Sequence, residues 1–380
     1  MPGDLELPHV DPETHFAPDA LERADRFRRV TRALWLAYVM VEVAVLALLA
    51  WKARPAAALL RRVARGRVRT GVALGLVAVV AASLATLPLG LVRHWWNRRY
   101  GLSEQGFAAW LGDRALALGV RAALVALAVA GTVWLAGRLG GRWWLGGAPA
   151  LVAAGALYVL AQPVVVEPLF NRFEPLPDRA LAAEVKRLGE RIGVQVETVQ
   201  MADASRRTTA ANAYVAGVGP TRRVVFYDTI LDGRFSDTEL ASVAAHELAH
   251  VERRHVPKGI AWFALLAVPG LGLVALLTER RGGLRDPSLV PLGLLVAVAF
   301  SLGTLPLQSA VSRRYEAEAD WIALRATGDP DAAIALDRRL TLTSIGDPTP
   351  PAWTRILLAT HPPPLERIAM AEAYRMRGGR

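Results

Sequence analysis

The chain has 380 residues, 53% of them apolar, and a mean hydropathy of +0.28. It carries a net charge of +11 and no cysteine, so disulfides and thiolate metal sites are excluded and any metal must be held by His, Asp or Glu. The apolar residues come in long blocks with arginines clustered beside them, as at Arg61, Arg62, Arg65, Arg67 and Arg69. That arrangement reads as basic loops flanking membrane helices, not as a nucleic-acid-binding surface.

The N-terminal tail, 1–32, opens acidic and proline-bearing. It lacks the cationic start and short apolar core of a cleaved signal, so the first membrane helix is expected to serve as an uncleaved anchor. Four apolar blocks then define an N-terminal membrane domain, 33–170: Ala33–Trp51, Gly71–Val92, Ala115–Gly137 and Trp143–Val166. Each approaches the length that a bilayer core requires, and tryptophans sit at several ends, as at Trp51, Trp95, Trp96 and Trp143. Glu42 lies mid-span, where a carboxylate needs a polar interior or a partner. Arg121, near the start of the third span, is placed to snorkel toward the interface.

A polar segment follows, 171–258. It predicts a helix over Arg179–Ile192 and strands over Val194–Gln200, Ala213–Ala216 and Arg223–Tyr227. Ser236-Asp237-Thr238-Glu239 is a capping box that opens a helix expected to reach His255. A transmembrane hairpin, 259–312, carries the fifth and sixth spans, Gly259–Thr278 and Pro287–Ser312. The last segment, 313–380, reads as helices broken at Gly328-Asp329-Pro330, Gly346-Asp347-Pro348 and Pro362-Pro363-Pro364. The expected fold is mainly α: a multi-pass membrane protein of six spans, joined to a polar domain with a small β-sheet.

The capped helix contains His246-Glu247-Leu248-Ala249-His250, an H-E-x-x-H pattern. Residues four apart share one helix face, so both imidazoles can grip one ion, with Glu247 beside them as the base for a catalytic water. A catalytic zinc takes three protein ligands and keeps one position open. His255 is nine residues from His246, which puts it on the opposite helix face, and reads as structural; Glu252 is also off the face. Further on, Glu316 and Asp320 share a face while Glu318 points away. This spacing assigns Glu316 to the metal and Asp320 as acceptor for the outer N–H of a ligand histidine; the competing reading is a solvated acidic face beside Arg313 and Arg314.

These motifs, with others in a fixed order, resemble the CAAX prenyl protease 1 family of membrane zinc endopeptidases. The resemblance includes Pro168-Leu169-Phe170-Asn171-Arg172-Phe173, Asn212-Ala213-Tyr214 leading into Arg223-Val224-Val225-Phe226-Tyr227-Asp228-Thr229, the E-x-x-A-D run Glu316–Asp320, and Thr360-His361-Pro362-Pro363 with Glu366-Arg367-Ile368. Trp95–Gly106 and Trp110-Leu111 are similar to the family's amino-terminal membrane domain. The resemblance implies Zn2+ held by His246, His250 and Glu316, Glu247 as catalytic base, and His361 as donor to the oxyanion. It implies substrate binding along Asn212, Ala213 and Tyr214, with Arg367 paired to a site carboxylate such as Asp320. It also implies that 171–258 and 313–380 are two parts of one protease domain, and that the membrane helices flank a chamber lined by groups such as Glu42 and Arg121.

The expected partners are the lipid bilayer and peptide or protein substrates, including membrane-associated or lipidated ones, with no nucleic acid. The Ala- and Arg-rich composition points to a bacterial cell membrane, and the resemblance to a site facing the cytoplasm. Two other functions fit the same residues. One is a bacterial quality-control zinc protease of membrane proteins. The other is a non-enzymatic transporter or scaffold whose metal site is closed by a fourth ligand, for which His361 is the candidate.

Overall fold

The computed structural model describes residues 6–217, 219 and 222–378, so the first five residues of the tail and the last two of the final segment lie outside it. A short helix, α1 (Pro12–His15), precedes α2 (Pro18–Trp51), α3 (Ala53–Leu60), α4 (Arg67–Arg99), α5 (Phe107–Leu139) and α6 (Trp143–Ala161). Among the described residues, four helical runs are long and apolar enough to cross a bilayer, and one of them, Phe107–Leu169, has 63 residues. That run is not a single rod. Gly140 adopts φ 57°, and a methyl group on Gly146 would meet Leu139 at 3.6 Å and Leu135 at 3.8 Å. Residues eleven apart in a straight helix are separated by about 16 Å, so the chain folds back at Gly140 and α5 and α6 cross separately.

Helix α2 begins fifteen residues before the expected first span at Ala33, with Pro18 at its first position, where the preset φ and missing N–H suit a helix start. On α4, Gly71 and Gly75 face α5. A methyl group would lie 3.0 Å from Val133 at the first and 3.1 Å from Val129 at the second. The small-residue stripe therefore sets how closely these two helices approach. Glu42 on α2 and Arg121 on α5 form an ion pair at 2.6 Å, so neither charge stands alone in the span.

The polar segment supplies β1 (Phe173–Pro175), α7 (Arg179–Ile192), β2 (Thr198–Ala202), β3 (Ala213–Ala216), β4 (Arg223–Tyr227) and α8 (Asp237–Glu252). The sheet order is β1-β2-β4-β3, with β2 parallel to β4 and the outer strands antiparallel, so β3 is an edge strand. Val185, Leu188, Val224, Phe226, Ile230, Ala244 and Leu248 are buried between sheet and helices. Each large side chain there contributes roughly 1.5–3 kcal/mol.

The hairpin and last segment supply α9 (His255–Glu279), α10 (Val290–Gly303), α11 (Leu305–Thr327), α12 (Pro330–Thr343), α13 (Ala352–Leu357) and α14 (Pro364–Met376). The sixth expected span is broken: Pro287–Gly303 and Leu305–Thr327 meet at 48°, beside Pro306, which has no N–H to continue the ladder. The bend lets α10 pack among the membrane helices while α11 crosses α8. Among the membrane helices, α2 packs on α4, α4 on α5, α5 on α6, α6 on α9, α9 on α10 and α10 on α2, which closes a ring. The foot of α2 reaches the last segment, with Arg28 Nε donating to Ile345 O at 2.7 Å and Arg32 paired to Asp347 at 2.8 Å.

Candidate active site

Helix α8 begins at the capping box read from sequence. The Ser236 hydroxyl accepts from Glu239 N at 3.3 Å, and Glu239 accepts from Ser236 N at 2.7 Å. Glu239 is also buried and paired with Arg339 of α12 at 2.9 Å, which fixes the start of α8 against the last segment. Ala244, Ala245, Leu248 and Ala249 are fully buried, and α11 packs across α8.

This crossing brings His246, His250 and Glu316 together, with one ligand atom from each lying within 4.8 Å of the others. His250 Nε2 is 3.1 Å from His246 Nε2, and Glu316 lies 3.2 Å from the first ring and 3.6 Å from the second. A tetrahedral ion with bonds of about 2 Å sets its donors about 3.3 Å apart, so the spacing fits one zinc-sized cation. Glu316 Oε2 is buried without an aligned hydrogen-bond donor, as expected of an atom aimed at a cation. The two-imidazole, one-carboxylate set also suits zinc.

Behind His246, the Nδ1–H donates to Asp320 Oδ1 at 2.7 Å. Asp320 accepts two hydrogen bonds from Arg367, at 2.9 Å and 2.7 Å. The same guanidinium approaches Asp337 Oδ1 of α12 at 2.7 Å, as an ion pair out of hydrogen-bonding alignment. Burial alone would lower the His246 pKa, but the Asp320 charge and hydrogen bond, with Glu316 and Glu247, push it up to about 10. Burial pushes Asp337 up to about 7 against the attraction of Arg367, with the Asp320 charge adding to the rise.

Behind His250, Nδ1 lies 2.8 Å from His255 Nδ1, and His255 Nε2 lies 3.4 Å from Glu318 Oε2. The sequence reading of His255 is corrected here. It extended α8 to His255, which put that ring on the far face; Glu318 lies off the face of Glu316 and Asp320, as read, and reaches His255. Instead α8 ends at Glu252, and Arg254 takes a left-handed φ of 54°. The chain turns there and His255 starts α9, with its ring directed back at His250.

Glu247 is half-buried beside the two ligand rings. Burial raises its pKa, against the attraction of His246 and His250. His361, just before α14, has a 59% exposed side chain, and its Nε2 is 3.0 Å from Glu316 Oε2. It is not in the group of three whose ligand atoms cluster. Asn212 precedes edge strand β3, which packs on α8, and its carbonyl accepts from Tyr227 N at 2.9 Å. Ala213 is buried and Tyr214 donates to Glu167 at 2.9 Å. Burial and the Glu167 charge raise the Tyr214 pKa.

Residues 175–375, more than half of the chain, match the model of peptidase family M48. The chain belongs to this family. Residues 8–172 match the model described as CAAX prenyl protease N-terminal, five membrane helices. The Bacillus subtilis protein titled uncharacterized metalloprotease YhfN is 29% identical over 306 residues, covering 78% of this chain and 72% of that protein. The Oryza sativa CAAX prenyl protease 1 homolog is 27% identical over 58% of this chain, which spans 54% of that relative's length. The Saccharomyces cerevisiae CAAX prenyl protease 1 is 27% identical, over 48% of this chain and 40% of the relative. The fold matches the crystal structure of S. mikatae Ste24p with a TM-score of 0.82 at 18% identity, over 97% of this chain and 92% of that one. This M48 peptidase is therefore a multi-pass membrane metalloprotease, as the motif series implied.

Sequence reasoning missed Asp337, His255 and Glu318 as neighbours of the site. The signal for His255 was present: a third histidine close to the motif, preceded by Arg253-Arg254 where a helix end was needed. Asp337 had no such signal, because Asp337-Arg338-Arg339 reads as an ordinary exposed helical run.

Proposed function

We propose that this M48 peptidase is a zinc endopeptidase that cleaves membrane-associated peptides, with His246, His250 and Glu316 as metal ligands and Glu247 as base. The observation that carries the reading is the meeting of two imidazoles of α8 with the α11 carboxylate at the spacing of a tetrahedral ion. Zinc held there supplies Lewis-acid chemistry, acidifying water and polarising a carbonyl. In this reading, residues 33–170 are the membrane domain, and 171–258 and 313–380 are two parts of the protease domain joined by the hairpin 259–312. The site faces the cytoplasm of a bacterial cell.

The chain's own residues divide the work. The free edge of β3, entered at Asn212, pairs with an extended substrate backbone, reading main chain without demanding particular side chains. Glu247 takes a proton from the attacking water and delivers it to the leaving amine nitrogen. Solvent-exposed His361 donates from Nε2 to the oxygen that gains charge. Asp320, clamped by Arg367, holds the His246 ring with Nε2 toward the metal.

Glu247→Gln removes the base and leaves the ligands. We expect zinc content equal to the parent and a cleavage rate lower by roughly 10²- to 10⁴-fold, measured on prenylated and plain peptides. Parent-like cleavage by this variant would remove Glu247 from its role. Equal cleavage of both peptides would favour a general membrane-protein protease over one that requires a prenyl group.

A further inference from the structure

We infer that His255 is a positioning residue for His250, passing that ligand's outer N–H through its own imidazole to Glu318. The inference rests on the ligand assignment above and concerns residues outside it. His250 directs Nε2 toward Glu316 and the His246 ring, so its Nδ1 carries hydrogen and points away from the cation site. That N–H requires an acceptor, and His255 Nδ1 lies 2.8 Å away. Two Nδ1 atoms at this distance share one proton between them. If His250 donates, His255 must present a lone pair at Nδ1 and carry its hydrogen on Nε2, where Glu318 Oε2 stands at 3.4 Å. The Glu318 carboxylate thereby selects the tautomer of both rings.

The surroundings hold the relay in place. His255 is 6% exposed, and its ring lies parallel to Tyr315 with centroids 4.4 Å apart and planes 7° apart. Glu318 is held by Arg253 at 3.4 Å and Arg314 at 3.7 Å. Arg254 keeps a left-handed backbone that non-glycine residues seldom adopt, and this turn directs His255 back to the site. Tyr315 and Glu318 flank the third ligand, Glu316, on α11, while His255 is the first residue of membrane helix α9. The two outer limbs of the membrane hairpin thus meet behind one metal ligand.

The test uses the full-length protein in detergent, with zinc affinity by chelator competition, Co2+ visible absorption and thermal melting. His255→Leu removes the acceptor and should weaken zinc by roughly 10- to 100-fold and alter the Co2+ spectrum. His255→Asn places Oδ1 near the lost Nδ1 and should restore affinity and spectrum toward the parent. A packing role alone would not be rescued by asparagine. Glu318→Ala keeps both rings and should shift affinity in the same direction by less, which decides the matter if the leucine variant does not fold. Parent-like zinc affinity in His255→Leu or in Glu318→Ala, or a folded His255→Asn as weak as the leucine variant, would overturn the inference. A parent that binds no metal, or a His250→Ala that binds normally, would instead overturn the ligand assignment.

Discussion

The two imidazoles that face each other across the site are supported from behind in different ways. His246 backs onto a buried chain of charge, Asp320, Arg367 and Asp337, supplied by α11, α14 and α12. His250 backs onto a second ring, His255, supplied by the foot of a membrane helix. A carboxylate raises the basicity of the ring it accepts from, whereas a neutral imidazole fixes orientation with less charge. One imidazole is therefore anchored in the polar domain and the other at the foot of a membrane helix. The two parts of the fold meet at the proposed metal site.

That contrast can be broken most severely at Arg367. Arg367→Ala leaves Asp320 and Asp337 buried without their cation, and should lower stability by roughly 3–5 kcal/mol. Denaturation of the metal-free protein reads the loss, and a variant within experimental error of the parent would show that the charged side carries no weight. Asp320→Asn is milder. It keeps the shape but weakens the anchor of His246, and zinc affinity should fall by roughly 10- to 100-fold while the fold survives.

Arg254→Gly probes the opposite side. Glycine adopts the left-handed turn freely, so stability should change by no more than about 1 kcal/mol and zinc affinity should stay unchanged. A large loss of affinity would mean that the arginine itself, and not the turn, serves the site.

The same contrast governs the pH dependence of the metal-free protein. Asp337 titrates near 7, above the ordinary carboxylate range, so between that range and pH 7 the native state binds more protons than the unfolded one. Stability from this group is complete below the ordinary carboxylate pKa and declines as pH rises through 7. His246, pushed up to about 10, extends the decline, since its contribution is full below the ordinary histidine value and is lost toward pH 10. Melting temperatures at pH 5 and pH 8 should show the decline in the parent and a shallower one in Asp337→Asn; equal slopes would contradict the assignment.

Much of this was legible in the amino-acid order. Strands β3 and β4 appear residue for residue where alternation and β-branched residues place them, and helix α7 spans the expected Arg179–Ile192. The apolar blocks mark the membrane passes, since length and freedom from charge are what a bilayer demands. The features that were not legible share one cause: each is decided by contacts between distant segments. Strand β1 ends in a proline and exists through its pairing with β2. The docking of the polar foot of α2 rests on Arg28 and Arg32, which bind the loop after α12. The place of His255 depends on a left-handed arginine, a conformation that sequence preference does not assign.

X-ray absorption at the zinc edge on the purified full-length protein tests the central claim most directly. One zinc per chain, with two imidazoles and a carboxylate oxygen at bond lengths of about 2.0–2.2 Å and a light-atom donor from solvent in the remaining position, is the predicted result. A protein without zinc would contradict the account, as would a shell with a third imidazole closing that position.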